Sequence, residues 1–270
     1  MTHPPRVVVV SGGTFGIGRA ITLGLAARGH KVVAFGLETA QVSSVAQAAI
    51  PGLRDELAAR KLEATLLEAD VSKASDVAKV VETAVKTYGR LDAVVNNAAI
   101  GPLGTVLDTD EELFDRIVSV NLKGPFLVSR MAVPHMKRQG GGSIINIGSG
   151  AGWGKPNMAV YSASKGGLHA LSAAMAYDFI YDRIKVNTVI PGGGGIVSGM
   201  SLGRAGGDRS RLGKGAPGTA AGRVANGDDI ANVVAFLLSP EAETISGTVI
   251  DVGCFANQGG PVPPKPAGQV

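Results

Sequence analysis

The sequence predicts an α/β fold, a doubly wound and mostly parallel sheet with helices on both faces, and three observations predict it. Short β-branched runs alternate with longer stretches of helical periodicity along most of the chain. The first such run passes through a glycine-rich turn straight into a helix. The 39 glycines, against 4% aromatic residues, suit tight turns and close helix–sheet packing rather than a platform for stacked bases.

Taken in order, residues 6–10 are four consecutive valines behind Arg6, as expected of a strand covered on both faces. They lead into Ser11-Gly-Gly-Thr-Phe-Gly-Ile-Gly18 and a helix over 19–28, which Gly29 ends. Residues 31–35 form a second strand, and 37–60 read as helical with a break at Pro51-Gly52. A third strand over 65–69 is closed by Asp70-Val71-Ser72 and followed by a helix over 76–88. The fourth strand, 91–95, ends in Asn96-Asn97-Ala98-Ala99. Thr109-Asp-Glu-Glu112 reads as a capping box opening a long helix to about Arg138, with kinks or breaks expected at Pro125 and Pro134. Strands follow at 143–147 and 184–190, separated by a helix over 161–181. Residues 191–222 show no clear periodicity, and so long a connector reads as a mobile substrate lid. A helix over 227–238 and a strand over 248–252 complete the pattern, and the proline-rich tail from about Gly259 reads as extended. With no repeat or linker, residues 1–270 read as one domain.

Composition narrows the function. At 270 residues, 18% charged and 45% apolar, the chain can bury a sizeable core. Its net charge of +4 is too small and too dispersed for a nucleic-acid footprint; only 204–223 is locally basic, and glycine interleaves it. One cysteine, Cys254, excludes an intrachain disulfide and fits a reducing compartment. No apolar run is long enough to span a membrane, and the first six residues lack a signal-peptide layout. Four scattered histidines give no metal-ligand cluster, and His135 and His169 read as packing or surface residues. The expectation is a soluble cytoplasmic protein acting on a small molecule, with no nucleic-acid, membrane or metal partner.

Two stretches carry chemistry. Gly12, Gly16 and Gly18 let backbone approach a pyrophosphate, whose charge the following helix N-terminus stabilises. The spacing is G-x-x-x-G-x-G rather than G-x-G-x-x-G. Tyr161 and Lys165 are four apart, on one face of a helix, so an ammonium stands beside a phenol and eases its deprotonation. A phenol poised in this way can exchange a proton with an alcohol or ketone.

Ser11–Gly18, Asp70-Val71, Asn96-Asn97-Ala98, Asn121, Ser149, Tyr161, Lys165 and Pro191-Gly192 fall in one order, over about residues 6–253. In that order and spacing the chain resembles the short-chain dehydrogenase/reductase family, compact single-domain type. The resemblance implies a Rossmann-type sheet of seven strands, an NAD(P) cofactor and a homodimer or homotetramer. It implies Tyr161 as proton donor and acceptor, with Lys165 holding the nicotinamide ribose. Ser149 would hydrogen-bond the substrate oxygen, and Asn121 would support a water relay to Lys165. The cofactor would lie along Gly12, Thr14, Phe15, Gly16, Ile17, Gly18, Asp70, Val71, Asn97, Ala98, Pro191, Gly192 and Ile196.

The chain departs from the family pattern in places. Ala99 stands where a glycine is common, and the Ser149–Tyr161 interval is one residue short. Gly192–Gly195 run into Ile196-Val197-Ser198 where a threonine often holds the nicotinamide amide, and Asp251-Val-Gly253 replaces Asp-Gly-Gly. Counting about 20 residues from Gly18 reaches Glu38 as the acid for the ribose hydroxyls, whereas aligning the second strand puts Gly36 in that slot. No Lys or Arg lies between Phe35 and Ala40, which leans towards NAD, with NADP possible. The expected activity is NAD(P)-dependent interconversion of a secondary alcohol and a ketone. The alternatives are an NADPH-dependent 3-oxoacyl-thioester reductase and a nucleotide-sensing protein without chemistry. Arg204, Arg209, Arg211, Lys214 and Arg223 could meet an anionic substrate, although a solvated loop is the simpler explanation.

Overall fold

A computed structural model of the chain describes residues 4–42, 45–192, 196, 199–204, 208–211, 219 and 221–253. Strand β1 (Val7–Ser11) feeds helix α1 (Gly16–Ala26), and β2 (Lys31–Gly36) follows. Then come β3 (Thr39–Val42), β4 (Val45–Ala48), α2 (Ala49–Ala59), β5 (Thr65–Glu68) and α3 (Ala74–Tyr88). Strand β6 (Ala93–Asn96) leads to α4 (Glu111–Val118) and α5 (Gly124–Arg138), joined by a π-helical turn at Ser119–Lys123. Strand β7 (Gly142–Ile147), a 3-10 turn (Gly150–Trp153), α6 (Ala159–Asp178) and β8 (Ile184–Pro191) come next. The short α7 (Gly199–Arg204), α8 (Gly227–Leu238) and β9 (Val249–Val252) complete the described elements.

Seven strands form one sheet in the order β5-β2-β1-β6-β7-β8-β9, parallel throughout. All seven expected strands are present, and the fold is the Rossmann-type one that the sequence pattern predicts. Alternate residues of β1 feed opposite faces. Val8 and Val10 join Ile21, Leu25, Ile145, Val189 and Leu237 on one side of the sheet. Val7 and Val9 join Phe35, Val77, Val94, Leu127 and Val186 on the other. Each such side chain, fully buried, contributes about 1.5–3 kcal/mol relative to exposure. The chain turns from β1 towards β2 on one side and later from β1 towards β6 on the other. The crevice at that reversal opens at the carboxyl ends of the strands, where Ser11, Asn96, Ile147 and Pro191 all end. Among the described residues, no helix is long and apolar enough to cross a membrane.

Three local expectations are corrected. The stretch 37–60 is not helical throughout: β3 and β4 pair antiparallel as a small separate hairpin, and the helix begins only at Ala49. Pro51-Gly52 does not break that helix. Proline sits in its first turn, where its missing N–H would have no intrahelical partner in any case. The long helix starts from Asp110 rather than Thr109. The Asp110 carboxylate accepts the Leu113 N–H at 2.8 Å, while the Thr109 hydroxyl donates to the Thr105 carbonyl at 3.0 Å. At Pro125 the expected irregularity is the π-helical turn, since proline has no N–H to give the Asn121 carbonyl four residues back. At Pro134 α5 continues. Within the expected lid, α7 and a 3-10 turn at Arg209–Arg211 are described; most of the remainder of 193–220, and the tail from 254, lie outside the described residues.

Candidate active site

The glycine turn is built against the end of β6. Gly12 and Gly16 have φ of +60° and +55°, the left-handed region that glycine enters at least cost. A Cβ on Gly18 would collide with the Gly12 carbonyl oxygen, so only glycine lets α1 start this close to β1. Asn97 ties the turn down: its amide donates to the carbonyls of Ser11 (3.1 Å) and Gly12 (3.0 Å). The Ser11 hydroxyl in return accepts the N–H groups of Asn97 (3.0 Å) and Ala98 (3.2 Å). Phe15 is the N-cap residue of α1 and offers no side-chain cap. The first N–H groups of α1, on Gly16, Ile17 and Gly18, therefore face the crevice with the helix dipole behind them.

At the end of β2 the residue against this turn is Gly36, whose Cβ position lies 2.8 Å from the Thr14 hydroxyl oxygen. Glu38 lies two residues further on with its side chain exposed, and its carbonyl accepts the Ala49 N–H at 2.8 Å. Arg19 is bound elsewhere, donating to Glu56 at 2.7 Å and to the Gly52 carbonyl at 2.7 Å. The Asp70 carboxylate accepts the backbone N–H (2.9 Å) and hydroxyl (2.7 Å) of Ser72, closing the turn after β5. Val71 packs buried against Gly124. Pro191 ends β8, Gly192 is pressed against the Val252 carbonyl, and Ile196 lies buried in the core below. Ser198 lies outside the described residues.

Tyr161 and Lys165 both sit on α6, facing the same crevice. The Tyr161 ring, 6% exposed, packs with Ala151, Met158 and Met200, and its edge lies 2.9–3.0 Å from the Cβ position of Gly101. Lys165 is 2% exposed and donates to the Ile147 carbonyl at 2.8 Å, at the end of β7. Its Nζ lies 6.0 Å from the centre of the Tyr161 ring. Burial pushes the Lys165 ammonium down to about 8, low for a lysine yet still charged at neutral pH. An ammonium has three N–H donors, and among the described residues one is used.

Ser149 caps the 3-10 turn that follows β7. Its hydroxyl oxygen accepts the Ala151 N–H at 3.2 Å, and an oxygen that accepts still has its own hydrogen to donate. Ala151 in turn touches Tyr161, so this turn and α6 share one wall of the site. Asn121, 0% exposed, lies within the π-helical turn. Its carbonyl oxygen accepts the Ile100 N–H at 2.9 Å, and its amide donates to the Ile100 carbonyl (2.8 Å) and the Ser164 hydroxyl (3.0 Å). Asn121 thus clamps the loop after β6 to α6, and its side-chain amide has no hydrogen left for a relay.

Of the basic residues considered for an anionic substrate, Arg223 is held by Asp229, both contacts at 2.7 Å, and Arg211 lies 3.4 Å from Asp208. Lys214 and the side chains of Arg204 and Arg209 lie outside the described residues. Sequence reasoning missed Gly101 and Met200, which meet beside the Tyr161 ring. His169, read as a packing or surface residue, packs half-buried against Trp153, Gly148 and Gly152.

Comparison with known proteins adds the following. A family model described as enoyl-(acyl carrier protein) reductase matches residues 12–254. The chain is 39% identical over 258 residues to a short-chain dehydrogenase/reductase of Armillaria gallica, covering 92% of this chain and 94% of that one. It is 36% identical over 260 residues to 2-(S)-hydroxypropyl-CoM dehydrogenase 3 of Xanthobacter autotrophicus, covering 92% and 94%. The crystal structure of 3-ketoacyl-(acyl-carrier-protein) reductase from Brucella melitensis complexed with NADH superposes with a TM-score of 0.77 at 31% identity, over 92% of this chain and 96% of that one.

Proposed function

Because the chain belongs to the short-chain dehydrogenase/reductase family of oxidoreductases, we propose that it interconverts a secondary alcohol and a ketone, with Tyr161 as general acid and base. The observation that carries this reading is Lys165, a buried ammonium between the Ile147 carbonyl and the Tyr161 ring, with two donors unused among the described residues. A surface lysine costs nothing to solvate; a buried one is retained against a desolvation cost, which fits a functional role.

The described residues fit a nicotinamide cofactor. The uncapped start of α1 suits its pyrophosphate, and the spare Lys165 donors suit its ribose hydroxyls. When bound, the nicotinamide accepts or delivers the hydride. In the direction of oxidation, the Ser149 hydroxyl donates a hydrogen bond to the alcohol oxygen and orients it. Tyr161, held as the phenolate by the Lys165 ammonium, takes the hydroxyl proton as the carbon gives up its hydride and becomes the neutral phenol. Reduction runs the same steps backwards, Tyr161 protonating the ketone oxygen.

For the cofactor the reading is NAD. A 2′-phosphate would meet no Lys or Arg within 35–40, and Arg19 is engaged by Glu56 and the Gly52 carbonyl. A second reading, NADPH-dependent reduction of a 3-oxoacyl thioester, draws on the likeness to the Brucella melitensis enzyme, whose name states that substrate. The pairing of Arg211 and Arg223 within the chain disfavours them as a docking surface for an acyl carrier. Phe126 and Tyr177, large and exposed on α5 and α6, support a homodimer or homotetramer through these helices, which light scattering would test.

The decisive experiment is Tyr161→Phe assayed by NADH absorbance over a panel of secondary alcohols and ketones. Turnover should fall at least about 100-fold, the scale of a lost general acid–base, while NADH binding followed by its own fluorescence stays unchanged. A near-normal rate would refute the assignment. Preferential turnover of acyl-carrier thioesters with NADPH would select the second reading. Tight NADH binding without turnover of any substrate would favour a nucleotide sensor.

A further inference from the structure

His169 stands one helical turn beyond Lys165 on α6, half-buried beneath the turn that carries Ser149. Three contacts from that turn meet its ring. The Ser149 N–H points to its Nε2 over a long 3.5 Å. The Trp153 ring lies against it, centroids 4.5 Å apart and planes tilted by 40°. Gly148 and Gly152 bracket it: their Cβ positions would fall 2.7 Å from Nε2 and 2.5 Å from Cε1. Neither glycine has a positive φ, so the backbone conformation does not demand glycine there. The imidazole does, joined at Gly148 by the equally close Thr188 methyl, because it fills the space any side chain would need.

We infer that His169 is a positioning residue for the reaction: its ring fills the inside of the Gly148–Trp153 turn and takes the Ser149 N–H, setting where the Ser149 hydroxyl points. This rests on the role proposed for Ser149 above. Burial, with the Lys165 charge as the second cause, pushes the imidazole down to about 4. It is therefore neutral at working pH, with Nε2 free to accept and its hydrogen on Nδ1. A protonated ring would have no lone pair for the Ser149 N–H and would set a second cation beside Lys165. The hydrogen bond is long, so the packing of the ring between two glycines and an indole carries as much of the positioning as the N–H does.

The test pairs His169→Leu, which keeps bulk and loses the acceptor, with His169→Gln, whose side-chain carbonyl can reach the Ser149 N–H. Each is made alone and on Ser149→Ala. Misplacing one donor by a fraction of an ångström to an ångström costs on the order of 10–100-fold in rate, so H169L should lower kcat by about that factor. KM for NADH should stay within about twofold, and H169Q should recover most of the loss. Because His169 acts through Ser149, H169L on the Ser149→Ala background should change kcat by less than about threefold. Trp153, the only tryptophan in the chain, reports the turn directly, and its emission should shift in H169L and return in H169Q. Four results overturn the inference: near-normal kcat in H169L, losses that multiply between the two sites, failure of H169Q to recover, or unchanged Trp153 emission. Ser149→Ala with normal turnover would instead remove the serine assignment, and this inference with it. If no substrate is found, the emission of the two variants still decides whether His169 holds the turn.

Discussion

Replacing Lys165 by methionine should make the folded protein more stable while abolishing turnover. The ammonium titrates at about 8 in the folded chain against an ordinary value of 10.5, and burial is the cause. The unfolded chain thus binds more protons than the folded one between those two pH values, so stability rises with pH across that window. Below about pH 8 both states are protonated and the whole burden is present. Two and a half units at 1.36 kcal/mol each is about 3 kcal/mol. Against this, methionine loses the hydrogen bond to the Ile147 carbonyl, an offset of about 1–2 kcal/mol. The net gain at pH 7 is about 1–2 kcal/mol; it should fall as the pH rises above 8, vanish at about pH 9–10, and reverse above 10.5, where the lysine is neutral in both states and the variant lacks only the hydrogen bond. Urea denaturation of the two apo proteins at pH 7 and pH 10 measures it, on a Tyr161→Phe background so that the phenol does not titrate. A Lys165→Met protein less stable than its parent at pH 7, or a difference that does not change with pH, would show that burial of this charge is not what lowers the lysine.

Gly101→Ala should lower kcat/KM about tenfold and stability by about 1–3 kcal/mol, the scale of overpacking, with NADH affinity unchanged. Its methyl would meet the Tyr161 ring edge at 2.9–3.0 Å and the Met200 sulfur. Steady-state kinetics and urea denaturation check it, and normal kinetics would mean that the ring has room the packing denies. Glu38→Ala should weaken NAD binding a few-fold, the worth of one exposed charge-assisted hydrogen bond, and leave NADP binding alone. Titration with both cofactors reads this out, and equal effects on both would locate the adenosine ribose at Gly36 instead.

The seven strands were legible because a parallel strand buried on both faces has no solvent side to alternate with, so residues 7–10 appear as an unbroken apolar run and the other strands as short runs rich in Val and Ile. The hairpin over 39–48 was not. Its sequence, Thr-Ala-Gln-Val-Ser-Ser-Val-Ala-Gln-Ala, carries no glycine or asparagine turn and is rich in alanine and glutamine, so local propensity favours helix. Pro51-Gly52 misled for a related reason: as punctuation it marks a boundary, and the boundary lay two residues earlier. At the site, Tyr161 and Lys165 were legible from their helical spacing taken together with the order of the motifs around them. Gly101 and Met200 were not assigned, and His169 was read only as a packing or surface residue, because what makes them matter is contact between segments 16 or more positions apart in sequence.

The side chains that hold this site together share a pattern: each comes from one element and binds the backbone of another. Asn97, after β6, holds the carbonyls of Ser11 and Gly12 at the end of β1. Asn121, in the π-helical turn, holds both polar backbone groups of Ile100. Lys165 of α6 reaches the Ile147 carbonyl of β7, and His169 the Ser149 N–H just beyond it. Loops at strand ends have few partners of their own, and an unpaired buried backbone group costs about 1–3 kcal/mol. Satisfying those groups from neighbouring rigid elements places the loops and prevents local loosening at the same time. It also explains why the π-helical turn belongs here. A straight α-helix would carry Asn121 round by a different angle, and the Ile100 loop, which abuts the Tyr161 ring through Gly101, would lose its clamp. On this view the catalytic pair is positioned as much by asparagine, glycine and histidine as by the tyrosine and lysine themselves.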